Sequence, residues 1–494
     1  MRRWAWALVL AVTCAVWAPT LTYDWVLTWD DLALFVGNAM VREWNWPWML
    51  RTQYYGHWMP LTWISASATY ALVGYHAAAW HGVNLALHAV SAVLVFCIAR
   101  RLVGSDLGAV AAALLFSVHP LRMESVAWIT ERKDVLMGVG FFAALLLWMQ
   151  ARRGWAFVAF LAACASKSPA VMLPVWLVAL EWYHARRTGT ALSWGPLLRR
   201  LAPFVAVSVV VSIAAFHSLH SVLASLPWSH VGLGPRLLHV AYSAVFYAMQ
   251  TVWPARLSGL IEYTWVPSWD QPQYPVAVGV VVLGAVVLRL TWRRWPALTA
   301  AAVAYTVAVL PQSGLFQNGV QLVANRYSYL AGVPLVLLAG AGVTALARRW
   351  PRGAVALAGG SLAALIVTTE LALPMWRDGD AMWHYAATHE PTCTQCQDMA
   401  AAAAVRQGDL AAAIRYQRQA VTVSDTTALP RWERHWNLAS LLVLQGERAA
   451  AIQELRIYLA VIPAYRLTDA ADLRDREHYE RALVALAALE GEAR

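Results

Sequence analysis

Two carboxylates in succession, Asp30 and Asp31 in Thr28-Trp29-Asp30-Asp31-Leu32, are the first residues of this chain that could do chemistry. Adjacent carboxylates repel, so one can act as a base while its neighbour tunes it or orients a substrate. A solvated acidic loop is the plain alternative. A denser run follows from Ser117 through His119-Pro120, Glu124 and Trp128 to Glu131-Arg132-Lys133-Asp134. Pro120 can open a short helix, which would set His119, Glu124 and the Glu131 to Asp134 cluster at a membrane rim. A charge run is usually a solvated face. Here the run is short and held between apolar segments, which favours function.

The basic residues sharpen the pattern. The chain has two lysines, Lys133 and Lys167, and every other basic residue apart from histidine is arginine. Lys167, in Ala165-Ser166-Lys167-Ser168-Pro169, could neutralise a phosphate near the interface or simply snorkel from a helix end. His81, Asn84 and His88 fall on one helix face, where interhelical hydrogen bonding is the simpler reading. His81 is the member of that stripe placed to reach a site. Arg326 in Asn325-Arg326-Tyr327 opens an apolar segment at the end opposite the arginine pairs, and an anionic partner is the simplest reason for it.

These residues need a frame that holds them at one surface. The chain has 494 residues, 60% hydrophobic and 13% charged, a composition too apolar for a soluble protein of this length. It reads as a polytopic membrane protein, because a spanning helix needs ~20 mostly apolar residues. Apolar centres fall near Trp4 to Thr22, His81 to Ala99, Leu107 to Val118, Val135 to Met149, Trp155 to Ala165, Ala170 to Tyr183, Leu201 to Phe216, Pro275 to Leu290, Trp295 to Leu310, Tyr327 to Ala347 and Ala354 to Leu373. Arginine pairs at Arg2/Arg3, Arg100/Arg101, Arg152/Arg153, Arg186/Arg187, Arg199/Arg200, Arg293/Arg294 and Arg348/Arg349 alternate with about eleven spans if all face the cytoplasm. The apolar segment Arg236 to Trp253 breaks that alternation and is expected to be interfacial or re-entrant. The net charge of +10 is then mostly topology, and its dispersal speaks against a nucleic-acid surface. The first segment has signal-peptide character but lacks a small-x-small cleavage site, and is read as the first span. Cys14, Cys97 and Cys164 lie in spans as packing residues. The Cys393/Cys396 spacing admits a disulfide, and Gln397 removes a haem-attachment motif.

After Leu373 the text becomes alanine-rich, charged and helical. Gly408-Asp409-Leu410 with Ala412-Ala413-Ile414 recurs as Gly446-Glu447-Arg448 with Ala450-Ala451-Ile452. The spacing is close to the ~34 residues of a tetratricopeptide repeat once an insertion at Ser424 to Pro430 is allowed. Trp376 to Glu390 and Arg474 to Glu490 can cap such a short solenoid. The expected division is a membrane domain over 1–375 and a helical repeat domain over 376–494.

The chain resembles the transmembrane, tetratricopeptide-repeat-containing O-mannosyltransferases, as a bacterial relative of that GT-C group. The matching text is Trp29-Asp30-Asp31, Trp58-Met59-Pro60-Leu61-Thr62, His81-Gly82-Val83-Asn84 with His88, His119-Pro120 through Trp128, Glu131-Arg132-Lys133-Asp134-Val135-Leu136, Ser166-Lys167-Ser168 with Leu173-Pro174, and Asn325-Arg326-Tyr327-Ser328-Tyr329-Leu330. Asn325 stands where the family usually carries aspartate, and Ser166 and Ser168 flank the lysine where it carries alanine and proline. The resemblance implies an all-α, polytopic GT-C fold with about eleven transmembrane helices followed by a short repeat solenoid. It implies transfer of a mannose-like sugar from a polyprenyl-phosphate donor to an acceptor hydroxyl on the outer face of a bacterial inner membrane. Asp30 is then the candidate base with Asp31 as its partner. Arg132, Lys133, Lys167 and Arg326 are candidates for the donor phosphate. His57, His81, His119, Glu124, Glu131, Asp134 and Tyr327 are candidates for the sugar and acceptor site. No metal or other cofactor is assigned. A polypeptide or glycan acceptor would dock on the repeats. A transferase acting on an envelope glycan or lipid, or a non-enzymatic repeat scaffold, are the alternatives.

Overall fold

The computed structural model describes residues 4–221, 231–316, 319–427, 432–461 and 473–491. Arg2, Arg3, Gln317 and part of the 424–430 insertion lie outside the described residues. The chain forms two units, Met1–Leu257 with Pro267–Gly379, and Ser258–Val266 with Asp380–Arg494.

The first unit is helical. Its main helices are α1 (Ala5–Trp17), α2 (Pro60–Val73), α3 (Ala77–Val103), α4 (Asp106–Ser117), α5 (Arg132–Met149), α6 (Arg153–Ser166), α7 (Leu173–Thr188), α8 (Trp194–Ser221), α9 (Leu233–Val252), α10 (Gln273–Thr291), α11 (Pro296–Val309), α12 (Ser328–Ala347) and α13 (Pro351–Ala372). Among the described residues, six segments are long and apolar enough to cross a membrane: Ala5–Thr22, Ala77–Val103, Trp194–Ser218, Gln273–Thr291, Asn325–Arg349 and Pro351–Trp376. Asp106–Ser117, Arg153–Ser166 and Pro296–Gln312 are shorter apolar helices. The chain is thus a multi-pass membrane protein. The expected apolar centres at 135–149 and 170–183 fall in α5 and α7, outside those six. α5 opens on Arg132, Lys133 and Asp134, all buried, and charges satisfied inside a bundle relax the need for an uninterrupted apolar window. The segment 236–253 lies in α9, also outside the six, because its buried face carries Arg236, His239, Ser243 and Gln250.

Small residues let these helices meet closely. A Cβ at Gly140 of α5 would lie 2.8 Å from the Ala163 backbone nitrogen of α6, so only glycine admits this approach. The segment between α1 and α2 is held by aromatic packing. Trp25, Leu34, Phe35, Met49, Met59, Trp63, Trp80 and Ile129 form one buried cluster, with Trp25 and Trp80 ring centres 4.9 Å apart. That cluster fixes Asp30/Asp31 at one end of the segment and His57 at the other against the start of α5. After Asp31 the backbone makes a π-helical turn, Leu32–Val36, a distortion that recurs at functional sites.

The second unit contains α14 (Gly379–His389), α15 (Thr394–Arg406), α16 (Leu410–Ser424), α17 (Glu433–Gln445), α18 (Arg448–Val461) and α19 (Leu473–Gly491). The two Gly-Asp/Glu turns connect α15 to α16 and α17 to α18. Gly408 and Gly446 have φ of 78° and 84°, where a side chain would be strained. Asp409 caps α16 by accepting from the Ala412 N–H at 2.8 Å. Cys393 and Cys396 are disulfide-bonded. From the 258–266 strap, Glu262 accepts from the Thr394 hydroxyl at 2.8 Å, at the start of α15.

His435 is buried in this unit, hydrogen-bonded to Glu454 at 2.7 Å and Asp425 at 3.2 Å. Burial opposes its protonation, but the two carboxylates prevail and raise its pKa above 6.5. A histidine whose pKa rises on folding stabilises fully below its unfolded pKa, and that contribution is lost as pH rises through the folded value. The thermal midpoint gap between the full chain and His435→Gln is therefore expected to be wider at pH 6 than at pH 8.5. An equal gap at both would show that the ion pair does not form.

Candidate functional site

Glu131 is the centre of the buried charges. It ends a 3-10 turn, Ile129–Glu131, immediately before α5, and its carboxylate lies 3.2 Å from Lys133 Nζ, 3.0 Å from Lys167 Nζ and 3.4 Å from Arg326 Nε. Glu131 is 1% exposed, so these are desolvated contacts. Burial alone would raise its pKa, but the three cations together hold it below the usual carboxylate range. Two further acids complete the set. Asp134 accepts from Lys167 at 2.6 Å and from the Ser125 hydroxyl at 3.1 Å. Glu124 pairs with the Arg326 guanidinium and accepts its backbone N–H at 2.8 Å.

Three separate segments meet here: the 120–131 turns running into the start of α5, the Ser166–Ser168 link between α6 and α7, and the 3-10 turn Asn325–Tyr327 before α12. Three cations here face three carboxylates. Among the described residues Lys133 makes a single ion pair, with Glu131. Trp128 forms an aromatic wall, its ring centre 5.6 Å from the Arg326 guanidinium and 5.9 Å from Lys133 Nζ. Its indole N–H and the Asn325 side-chain oxygen are buried without a hydrogen-bond partner among the described residues. Orphaned polar atoms beside an ion cluster are what a site awaiting a polar ligand leaves open. Trp128 is not among the expected site residues, although it lies in the 117–134 run and in the text that carries the family resemblance.

The paired aspartates separate. Asp31 is fully buried and accepts from Val26 N–H at 2.8 Å, Thr130 N–H at 2.9 Å and the Thr130 hydroxyl at 2.6 Å. Burial pushes its pKa up to about 7 despite those bonds. It ties the 25–36 segment to the turn before Glu131. Asp30 is half-buried and has no hydrogen-bond partner among the described residues. Burial raises its pKa, and Lys133 and Arg326 nearby partly offset the rise. A carboxylate without hydrogen bonds, with a raised pKa and beside cations, is suited to accept a proton.

A narrow cleft of about 10 Å³ opens onto Lys133 and Lys167. His57, Trp58 and Met59 line one side, Ser166 and Ser168 another, and Val211 and Ala215 of α8 a third. Burial, then Lys133 and Lys167, lower the His57 pKa to about 3, so the ring is neutral at the rim. The Tyr327 hydroxyl accepts from Gln321 at 2.7 Å, and its ring centre lies 4.9 Å from the Arg326 guanidinium and 6.0 Å from Lys167 Nζ.

Of the expected site residues, Arg132 and His119 are used elsewhere, while His81 keeps its Nδ1 buried without a hydrogen-bond partner among the described residues. Arg132 turns away from the cluster: its nitrogens donate to Asn84 at 3.0 Å, Thr69 at 2.7 Å and the Trp80 carbonyl at 2.9 Å, with the guanidinium 4.6 Å from the Trp80 ring centre. On a helix, neighbours point about 100° apart, so Arg132 and Lys133 cannot both face the cleft. His119 accepts from Leu121 N–H at 3.2 Å and donates to the Thr251 carbonyl at 3.0 Å, leaving neither ring nitrogen for a sugar. His81 lies 3.4 Å from the Asp24 carbonyl and edge-on to Tyr23. Its stripe packs as expected of interhelical hydrogen bonding: Asn84 bonds Arg132, and His88 bonds Tyr329 and the Ser117 carbonyl, each at 2.9 Å. Arg132→Gln is expected to cost about 3 kcal/mol of stability through the acceptors it leaves unpaired. Its thermal midpoint should fall; an unchanged midpoint would contradict the buried placement. Among the described residues no group of three or more His, Cys, Asp or Glu is arranged to hold a metal ion.

Fold and site together define a multi-pass helical membrane protein with a buried cluster of paired charges opening on a cleft. Over about a fifth of its length the chain is similar in sequence to Tmtc-type protein O-mannosyl-transferases. It is 39% identical over 92 residues to the protein O-mannosyl-transferase Tmtc1 of Drosophila melanogaster, covering 19% of this chain and 11% of that protein. It is 36% identical over 101 residues to Tmtc2 of the same organism, covering 20% and 11%. The match therefore spans only about a tenth of the length of these curated relatives. No family model matches. The crystal structure of ArnT from Cupriavidus metallidurans bound to undecaprenyl phosphate superposes with a TM-score of 0.35 at 17% identity, over 92% of this chain and 80% of that one; a likeness of that degree carries no weight for the site.

Proposed function

We propose that this chain is a GT-C-type membrane glycosyltransferase that moves a mannose-like sugar from a polyprenyl-phosphate donor to an acceptor hydroxyl, with protein serine or threonine as the first acceptor class to test. The observation that carries the reading is the cleft itself, which joins two ammonium groups to the apolar Val211 and Ala215 of α8. A phosphate with an isoprenoid tail needs that combination, cations for the head and a lipid-facing apolar surface for the tail. α8 supplies such a surface, with Val209, Val210, Ile213 and Phe216 exposed.

In this mechanism Asp30 takes the proton of the acceptor hydroxyl as its oxygen attacks the anomeric carbon. The bond to the donor phosphate breaks, and Lys133, Lys167 and Arg326 stabilise the charge that builds on the departing phosphate. Glu131 holds the three cations in place. Asp31 anchors the loop that carries the base, and Trp128 packs against the Arg326 and Lys133 cations. A single displacement inverts the anomeric centre. The arginine-pair pattern supports a cytoplasmic placing of those pairs, which would set the cluster and the C-terminal helices on the outer side of a bacterial inner membrane. The helix pairs α15/α16 and α17/α18 are read as tetratricopeptide-type repeats that dock the acceptor.

The test is release of polyprenyl phosphate from a panel of lipid-linked sugars by the purified chain in nanodiscs, with and without acceptor peptides. Acceptor-dependent release from a polyprenyl-phosphate mannose is expected. Release from no donor in the presence of peptide, glycan and lipid acceptors would reject the reading.

A further inference from the structure

A second candidate ligand site lies between α10 and α11 and shares no residue with the cluster or its cleft. An open groove of about 700 Å³ runs there, walled by Leu288, Ala302, Val303 and Val307, with Arg289 and Trp292 also lining it. α11 rises ~1.5 Å per residue, so the wall from Thr299 to Val307 is ~12 Å long. The Thr299 hydroxyl, which lines the groove, is buried without a hydrogen-bond partner among the described residues.

The Trp292 end of the groove is strongly basic. Trp292 stacks on Trp182 of α7, ring centres 6.5 Å apart and planes within 16°. The Arg186 and Arg293 guanidiniums lie 5.3 Å and 5.0 Å from the Trp292 ring centre. Neither of these, nor Arg289, forms an ion pair among the described residues. Uncompensated guanidiniums beside paired tryptophans, at the end of an apolar groove in a membrane helix pair, match the two halves of one molecule.

We propose that this groove binds an anionic phospholipid, its acyl chain along α11 and its phosphate on Arg289, Arg293 and Arg186. Bidentate contact from arginine suits a phosphodiester. The site stands whether or not the chain is a glycosyltransferase.

The experiment is native mass spectrometry of the delipidated full chain in detergent, titrated with phosphatidylglycerol, phosphatidylcholine or inorganic phosphate. One phosphatidylglycerol is expected to bind at concentrations where phosphatidylcholine does not, and inorganic phosphate should not displace it. Arg289→Ala with Arg293→Ala should weaken that binding on the order of tenfold or more. Ala302→Trp, which fills the groove and leaves every charge in place, should weaken it comparably. Arg186→Ala provides a variant on a separate helix should the double variant fail to fold, and Arg348→Ala with Arg349→Ala should bind as wild type. Equal binding of both lipids, or displacement by inorganic phosphate, would overturn the proposal. So would full binding by Ala302→Trp, which would mean that surface charge alone attracts the lipid.

Discussion

Asp30→Asn is expected to cut sugar transfer on the order of 10³-fold while leaving the folded yield and thermal midpoint near those of wild type. The substitution keeps shape and removes only the capacity to accept a proton. It should be structurally mild because Asp30 has no hydrogen-bond partner to lose among the described residues, whereas Asp31 accepts three. Asp31→Asn should instead lower the midpoint, since an amide cannot accept on both former carboxylate oxygens. The pH profile gives a second handle on the same residue. Burial raises the Asp30 pKa above the ordinary carboxylate value, and a base works only when ionised. Transfer should therefore fall on the acid side, at a pH above that of an exposed aspartate, and rise with pH through that value. Measuring turnover and unfolding together on both variants separates the two roles. Near-normal turnover in Asp30→Asn would remove it from the mechanism.

The sequence made the location of this site legible more than its wiring. Asp30, Glu124, Glu131, Lys133, Asp134, Lys167 and Arg326 could be selected because charge is scarce in so apolar a chain, and each survivor stands out against the helices around it. Which of them touch could not be read, because the contacts join segments far apart in the chain, as Lys167 to Glu131 and Arg326 to Glu124 do. Arg132 shows where local reasoning fails. It sits in the same charge run as Lys133, yet one residue of helical rotation sends it into Trp80, Thr69 and Asn84. His119 was drawn in by its place beside Pro120, but a histidine before that turn serves the backbone of the turn itself. The helical character was legible from composition, whereas span lengths were not, since α5 and α7 draw support from neighbours that no single-segment hydropathy contains. The pairing of the 258–266 strap with the C-terminal helices leaves no mark in its composition.

Glu131→Gln is expected to do the most damage of any single neutral substitution in the cluster, abolishing transfer and destabilising the fold by about 3–5 kcal/mol. The amide keeps the volume but cannot balance Lys133, Lys167 and Arg326, which would then repel one another in a desolvated space. The argument is one of imbalance, not of lost attraction, and it makes a non-additive prediction. Glu131→Gln combined with Lys133→Met removes, together with the anion, the cation whose ion pair among the described residues is with Glu131 alone. That double variant should therefore unfold at a higher temperature than Glu131→Gln alone, although it carries more changes. Its transfer activity should stay absent, because a phosphate-facing cation is gone. Thermal midpoints of the two singles and the double in nanodiscs test this directly. Simple addition of the two losses would mean that the cations are not held by Glu131, and that the cluster is a solvated rim with no preorganised charge to offer a departing phosphate.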